Sequence, residues 1–281
     1  MLKQRVITAL VLLFILVPAV FYQDARAFLA ISVVLVAAGA WEWGKLNQCG
    51  PIGSVATGLI CAMVCVLSWY AGVLKLQLHS VWLIGGGVWV IMGAWLLNGG
   101  VVAWMRIPRA LRLMGGVGAL WLAWLAVSKA RTVGINFLFS ILVLVWVADI
   151  FAYFAGRALG GRIFLRKLAP TISPGKTWEG AIGGFIGVVA CGFFWRAMES
   201  AAGTGSSSIY TRTADVHIAF MVLSLLFLAM MSIVGDLVES LFKRSAGVKD
   251  SSGLLPGHGG VLDRLDALLP VLPLALFLAM A

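Results

Sequence analysis

Charge is what this sequence has least of: Asp, Glu, Lys and Arg together make up 11% of its 281 residues. A water-soluble domain carries about 25%, so a soluble enzyme and a highly charged, disordered regulator are both excluded. Cysteine is nearly as sparse, four in all. Cys61 and Cys65 lie one helical turn apart inside an apolar run, Cys49 and Cys191 are remote, and no histidine stands near them at zinc spacing. That excludes a secreted disulfide scaffold and a structural zinc site, leaving four small buried hydrophobes. No basic run is interleaved with aromatics, so the net charge of +10 does not point to nucleic acid. It reads as membrane topology together with an anionic lipid surface or a phosphate-bearing substrate. What is abundant is apolar: 62% of the chain, with a mean hydropathy of +1.02.

Nine apolar runs approach the length of a membrane-crossing helix: 6–22, 27–43, 52–73, 80–97, 113–128, 133–155, 178–198, 217–238 and 264–280. Hydrocarbon offers no hydrogen-bond partner, so each run should be a helix. The expected fold is an all-α polytopic membrane bundle of about nine helices; the short fifth run leaves eight as an alternative. Lys3 and Arg5 before the first run, and Ala25-Arg26-Ala27 after it, also resemble a signal peptide. The apolar stretch is long for that role, so it reads as an uncleaved span. Glycines inside the runs (Gly85 to Gly87; Gly183, Gly184, Gly187) suit close helix approach in lipid. The segment 201–208 reads as a flexible outside linker. With the N-terminus in the cytoplasm, fourteen Lys and Arg fall in cytoplasmic segments, six fall outside, and Arg264 sits at the mouth of the last span. Residues 1–130 hold spans one to five and few polar groups. Residues 131–281 hold spans six to nine and the basic loops, and read as the catalytic region.

The eleven acids can be placed one by one. Asp24, Glu199 and Asp215 fall at outside positions, and Glu42, in Trp41-Glu42-Trp43, reads as an interfacial anchor. The other seven (Asp149, Glu179, Asp236, Glu239, Asp250, Asp263, Asp266) all fall at or just within the cytoplasmic ends of spans six to nine. Asp149 is the deepest. A carboxylate at mid-helix costs roughly 2.5–3.5 kcal/mol on insertion scales, so it wants a partner. Tyr153 and Arg157 follow it at i+4 and i+8 in one polar stripe, which is either part of a site or a structural Asp–Arg pair.

Asp236, Glu239, Ser240 and Lys243 share one face at the end of span eight. The segment 249–266 is denser still. Pro256, Gly257, Gly259 and Gly260 allow the backbone to approach a ligand and aim its amides at anionic oxygens, with His258 in the middle. Asp263 and Asp266, at i and i+3, face the same way and repel unless a cation joins them; all-oxygen ligands suit Mg²⁺. The alternative is acids placed at a helix N-terminus by its dipole. In Ser173-Pro-Gly-Lys176-Thr-Trp-Glu-Gly180 the Gly-Lys-Thr triplet is not a P-loop, because Pro170 stands where that motif needs glycine and no strand precedes it. A turn placing Ser173 and Lys176 on phosphate oxygens survives.

Ser240-Leu-Phe-Lys243-Arg244, then Lys249-Asp250, then Pro256-Gly-His258-Gly259-Gly260-Val-Leu-Asp263-Arg264-Leu-Asp266 resembles the signature of the phosphatidate cytidylyltransferase (CDP-diacylglycerol synthase) family. Ser173–Gly180 and Asp149–Arg157 are similar to further family segments; Gly175 departs from them, where lysine is more usual. The resemblance covers about 149–180 and 236–268 and looks bacterial. It implies that CTP and phosphatidate give CDP-diacylglycerol and pyrophosphate at the cytoplasmic leaflet of an inner membrane, among membrane lipids, in a monomer or homodimer. It also implies Mg²⁺ on Asp236, Asp263 and Asp266, with room for a second cation, divalent or K⁺. Lys243, Arg244, Lys249, Asp250, His258 and Arg264 would form the catalytic set. Ser173, Lys176, Ser240, Gly259, Gly260, Asp149, Tyr153 and Arg157 would bind or orient substrate. The depth of Asp149 suits a lateral opening for a lipid headgroup. Two rivals fit less well: a cation transporter needs polar residues along spans one to five, and a phosphotransferase consuming CDP-diacylglycerol needs an Asp-Gly and Ala-Arg signature absent here.

Overall fold

Each apolar run folds as hydrocarbon demands, into helix. The computed structural model describes residues 2–203 and 207–280 and contains no strand among them, only two isolated bridges in loops. The first eight runs become α1 (Leu2–Phe21), α2 (Arg26–Leu46), α3 (Gly50–Tyr70), α4 (His79–Arg106), α5 (Arg109–Val133), α6 (Ile135–Leu159), α7 (Trp178–Ala202) and α9 (Ile218–Ser245). Seven of these, α2 to α7 and α9, are long and apolar enough to cross a membrane; α1 offers a shorter apolar stretch, Val6–Phe21. The fifth run, short by composition, is a full 25-residue helix.

Two elements differ from expectation. The ninth run keeps helical backbone angles through Asp266 and Ala267, but Pro270 and Pro273 donate no amide, so its hydrogen-bond ladder is interrupted between a single turn, α10 (Leu262–Leu265), and an eleven-residue helix, α11 (Leu268–Leu278). Leu269 to Leu276 are all buried, because α11 packs among α4, α5 and α9 instead of facing lipid. Hydropathy alone cannot separate those two surroundings. The second difference is α8 (Ile209–Val216), a short helix capped by Ser208. Its Ile209 and Tyr210 are fully buried, and the Tyr210 hydroxyl donates to the Ser140 carbonyl at 3.0 Å. Of the expected linker 201–208, Ala201 and Ala202 end α7, Ser208 begins α8, and 204–206 lie outside the described residues.

Glycine sets the closest approach. On α7, Gly180 and Gly184 lie against the carbonyls of Ala152 and Ala148, where a β-carbon would come within 2.9 Å of each oxygen. That is the small-residue packing by which helices associate in lipid. One end of the bundle is pinned by long cations: Arg131 donates to the carbonyls of Val20 and Tyr22, and Lys129 to that of Leu74. The opposite end gathers the acids.

Candidate functional site

The site is built on the last two turns of α9. Long helical side chains lean toward the helix N-terminus, so Lys243 reaches back to pair with Glu239, which is 2% exposed. The same ammonium lies 2.5 Å from Asp263 Oδ1. Asp263 Oδ2 accepts the amide of Ser251 (3.0 Å), its hydroxyl (2.9 Å) and the amide of Gly260 (2.7 Å). Burial pushes the Asp263 carboxyl up, but the hydrogen bonds from Lys243 and the amides outweigh it and hold the group below the usual aspartate range.

Glu42 is a correction. It is not an interfacial anchor: it is completely buried at the end of α2 and organises the glycine-rich segment from the far side. Its Oε1 accepts the Val261 amide (3.0 Å) and the Ser252 hydroxyl (2.5 Å); its Oε2 accepts the Leu262 amide (2.7 Å) and the Ser251 hydroxyl (3.0 Å). Four donors on one carboxylate fix where 251–262 turns. Within that segment the Leu255 amide donates to the Gly259 carbonyl, and Gly257 and Gly259 take positive φ of 78° and 83°. Gly260 has no room for a side chain, since a β-carbon would meet Ser251 Oγ at 2.0 Å and Glu42 Oε1 at 2.5 Å. Arg264 donates to the His258 carbonyl at 2.7 Å, and His258 Nδ1 is buried with no hydrogen-bond partner.

A second loop, 160–177, closes over α9. Glu179, in the first turn of α7, gathers the amides of Gly161, Ile163 and Phe164 on one oxygen at 3.0, 3.1 and 2.9 Å. Thr177 caps α7 through the Gly180 amide, and Arg244 donates to the Ile172 carbonyl at 3.3 Å. The loop thereby delivers Lys176 Nζ to 2.5 Å from Asp236 Oδ2, while Ser240 donates to the other oxygen at 3.3 Å. Gly235 lets the chain at Asp266 lie directly on α9: a β-carbon there would come 2.5 Å from the Asp266 carbonyl. Asp149, Asp236 and Asp266 lie within one another's electrostatic range, and Lys176 and Arg264 act on Asp149.

Most of the expected residues therefore converge. Asp236, Ser240, Lys243, Asp263, Arg264, Asp266, Lys176 and the 256–260 turn belong to one cluster. Arg244 ties it to the loop that carries Ser173 and Lys176, and Lys249 and Asp250 are exposed. Tyr153 and Arg157 stand apart, exposed on α6 and hydrogen-bonded to each other at 2.9 Å. Glu42 and Ser251 were not expected in the site. The available signal was Glu42 itself, a carboxylate at the end of an apolar span; Lys45, three residues on, lies over the Trp41 ring.

The donors in this cluster are all hard oxygens, the kind that suits a magnesium-like cation. Among the described residues no three acids, histidines or cysteines converge tightly enough to enclose an ion: the Lys176 and Lys243 ammoniums stand against Asp236 and Asp263, and Asp266 Oδ1 accepts its neighbour Ala267's amide. The residues fit such a cation in chemistry, with the lysines standing at the carboxylates it would use.

A profile described as the cytidylyltransferase family matches residues 3–281. The chain belongs to this family. It is 38% identical to a phosphatidate cytidylyltransferase of Pseudomonas aeruginosa, over 97% of this chain and 95% of that protein. The corresponding protein of Haemophilus influenzae is 35% identical over 97% of this chain and 96% of its own length. That of Bacillus subtilis is 40% identical over 52% of this chain. For a member of the cytidylyltransferase family the cluster makes chemical sense. Lysines paired to acids, on loops whose turns are fixed by backbone amides bound to Glu42, Asp263 and Glu179, form a polar centre able to spread the charge of a polyphosphate.

Proposed function

We propose that this membrane enzyme transfers the cytidylyl group of CTP to phosphatidate, releasing pyrophosphate and leaving CDP-diacylglycerol for phospholipid synthesis. The observation that carries the reading is the meeting of Lys176–Asp236 and Lys243–Asp263 on α9, inside a chain related along nearly its whole length to phosphatidate cytidylyltransferases. The phosphatidate oxygen is already anionic, so attack on the α-phosphorus needs no strong base. A bond forms from that oxygen to phosphorus, the bond to the β-phosphate oxygen breaks, and pyrophosphate takes the electron pair. The barrier is repulsion between two anions, and cations reduce it.

Asp236, Asp263 and Asp266 would hold Mg²⁺, with room beside them for a second cation, divalent or K⁺. The metal would supply charge neutralisation on the phosphates. Lys176, Lys243, Arg244, Lys249 and Arg264 hold phosphate oxygens, with Ser173, Ser240 and the amide of Gly259, while the Gly260 amide stays on Asp263. His258 donates a hydrogen bond from its otherwise unpartnered Nδ1 to a phosphate or to the departing pyrophosphate, and Asp250 stands at the rim. Asp149, which lies within electrostatic range of Lys176, Asp236 and Arg264, orients the reacting groups, while Tyr153 and Arg157 stay outside the cluster, paired to each other. The excess of Lys and Arg on the N-terminal side supports a site at the cytoplasmic leaflet of a bacterial inner membrane. Detergent-purified protein incubated with base-labelled CTP and phosphatidate should give a lipid-extractable nucleotide product; no such product overturns the reading.

A further inference from the structure

α4 and α5 are consecutive and joined only by Ile107 and Pro108. Antiparallel neighbours on so short a link normally pack against each other. These two meet where Leu122 seats on Gly85, but each packs mainly elsewhere: α4 on α9 and α11, and α5 on α2 and α11. Gly100, at φ +62° and ψ −160°, kinks α4 so that its last turn folds over toward Trp43 and Phe242. The gap is a cavity of about 960 Å³, and its only charged wall residues are Arg112 and Glu239. On α5 the lining runs from Leu111 to Leu122. That stretch rises about 16 Å, one leaflet's depth in a core of about 30 Å.

The ends of this slot differ. Its deep part is apolar. Its shallow end carries Arg112, which has no carboxylate partner among the described residues: its guanidinium lies over the Trp104 ring, one nitrogen approaches Met105 Sδ at 3.6 Å, and Nε is buried without a hydrogen bond. That same end abuts the site. Glu239, paired to Lys243 on one side, lines the slot on the other, as does Leu262 of α10. A leaflet-deep apolar slot, one underused cation at its mouth and a wall shared with the catalytic cluster describe the two parts of an anionic diacyl lipid.

Resting on the transfer reaction proposed above, we infer that the α4/α5 slot holds the acyl chains of phosphatidate, with Arg112 at the headgroup end. Two of its glycines keep it open. Gly115 and Gly118 line the slot, and a β-carbon on either meets nothing within 4 Å. A leucine at either position starts from an unobstructed β-carbon, and its bulk takes up space the slot would offer a lipid.

Two measurements decide it. In Gly118→Leu, and independently in Gly115→Leu, the ratio of kcat/KM for dioleoyl phosphatidate to that for dihexanoyl phosphatidate should fall about tenfold, the effect of displacing two or so buried methylenes. A ratio within about threefold of wild type in both variants, which is near the scatter of single contacts, overturns the assignment. Should the variants not fold, the wild-type protein in nanodiscs without CTP still answers. Phosphatidate bearing a diazirine on its acyl chain should label peptides of α4 and α5, and excess phosphatidate but not phosphatidylcholine should suppress that labelling. Label confined to α6 and α7 beside Asp149, spread evenly over the lipid-facing surface, or insensitive to phosphatidate overturns it. The labelling needs no turnover, so its failure is distinct from a failure of the transfer reaction.

Discussion

Glu42 and Ser251, 209 residues apart in sequence, share a hydrogen bond of 3.0 Å between carboxylate and hydroxyl. The same hydroxyl lies 2.9 Å from Asp263 Oδ2 and shares its one hydrogen between the two carboxylates, linking α2 to the acid held by Lys243. The first half of the chain is thus part of the site's support, and the glycine-rich turn is held from both sides.

Glu42→Gln should be severe despite its small change in shape. An amide offers one oxygen where four donors need two, and its NH₂ opposes donors on the other side. We expect a loss of about 2–4 kcal/mol of stability and a fall of about hundredfold or more in kcat, with Glu42→Asp intermediate. Thermal unfolding and steady-state turnover of both variants check this; wild-type turnover in Glu42→Gln would remove Glu42 from the site's support.

Lys176 and Asp236 are each about one quarter exposed, so solvent screens their attraction and the pair contributes under about 1 kcal/mol to stability. Its importance should be kinetic. Lys176→Ala should lower kcat/KM for CTP about hundredfold or more and leave the unfolding temperature within a few degrees. A large drop in unfolding temperature with modest kinetic loss would make Lys176 structural.

Magnesium dependence tests the acids directly. Chelation should abolish turnover and added Mg²⁺ restore it, and Asp236→Asn should raise the Mg²⁺ needed for half-maximal rate about tenfold or more. Near-normal turnover of Asp263→Asn would remove Asp263 from the proposed metal set.

Asp263 also has a pH signature. Its folded-state affinity for protons is depressed below the ordinary aspartate range, with burial opposed and outweighed by Lys243 and the Gly260 and Ser251 amides. A depressed carboxyl contributes stability above its unfolded value, about 3.9, and loses it as pH falls through the folded one. The stability gap between wild type and Asp263→Asn should stay constant from pH 8 to about 5 and shrink only below about pH 4. A gap that closes between pH 7 and 5 would contradict this placement.

Glu179→Gln should loosen 160–177 without unfolding the bundle. Hydrogen exchange at Gly161, Ile163 and Phe164 should accelerate by about tenfold or more, and KM for CTP should rise more than kcat falls, because the loop delivers Lys176. Unchanged exchange at those three amides would show the loop is held elsewhere.

The bundle itself was legible in the sequence. Eight runs became helices because lipid leaves the backbone no other way to satisfy its polar groups. The clustering of Asp236, Lys243, Asp263 and Asp266 was legible too, since acids are too costly at membrane depth to scatter without purpose. The ninth run was legible as helix but its surroundings were not, because hydropathy measures transfer from water and not what replaces it; α11 is buried among helices, and protein and lipid are equally apolar to it. α8 escaped because eight residues with a polar face give no membrane signal.

What the sequence determined by itself was composition-driven: a helical membrane bundle with its ionisable chemistry confined to one end of the last helices. Tertiary structure decided the rest. It made Glu42 the keystone of a loop more than two hundred residues away, placed Lys176 on Asp236 and Lys243 on Asp263, and splayed α4 from α5 to leave a lipid-sized slot. Local patterns report how each residue partitions between water and hydrocarbon; which carboxylate meets which amide depends on distances across the fold, and no one-dimensional period carries those.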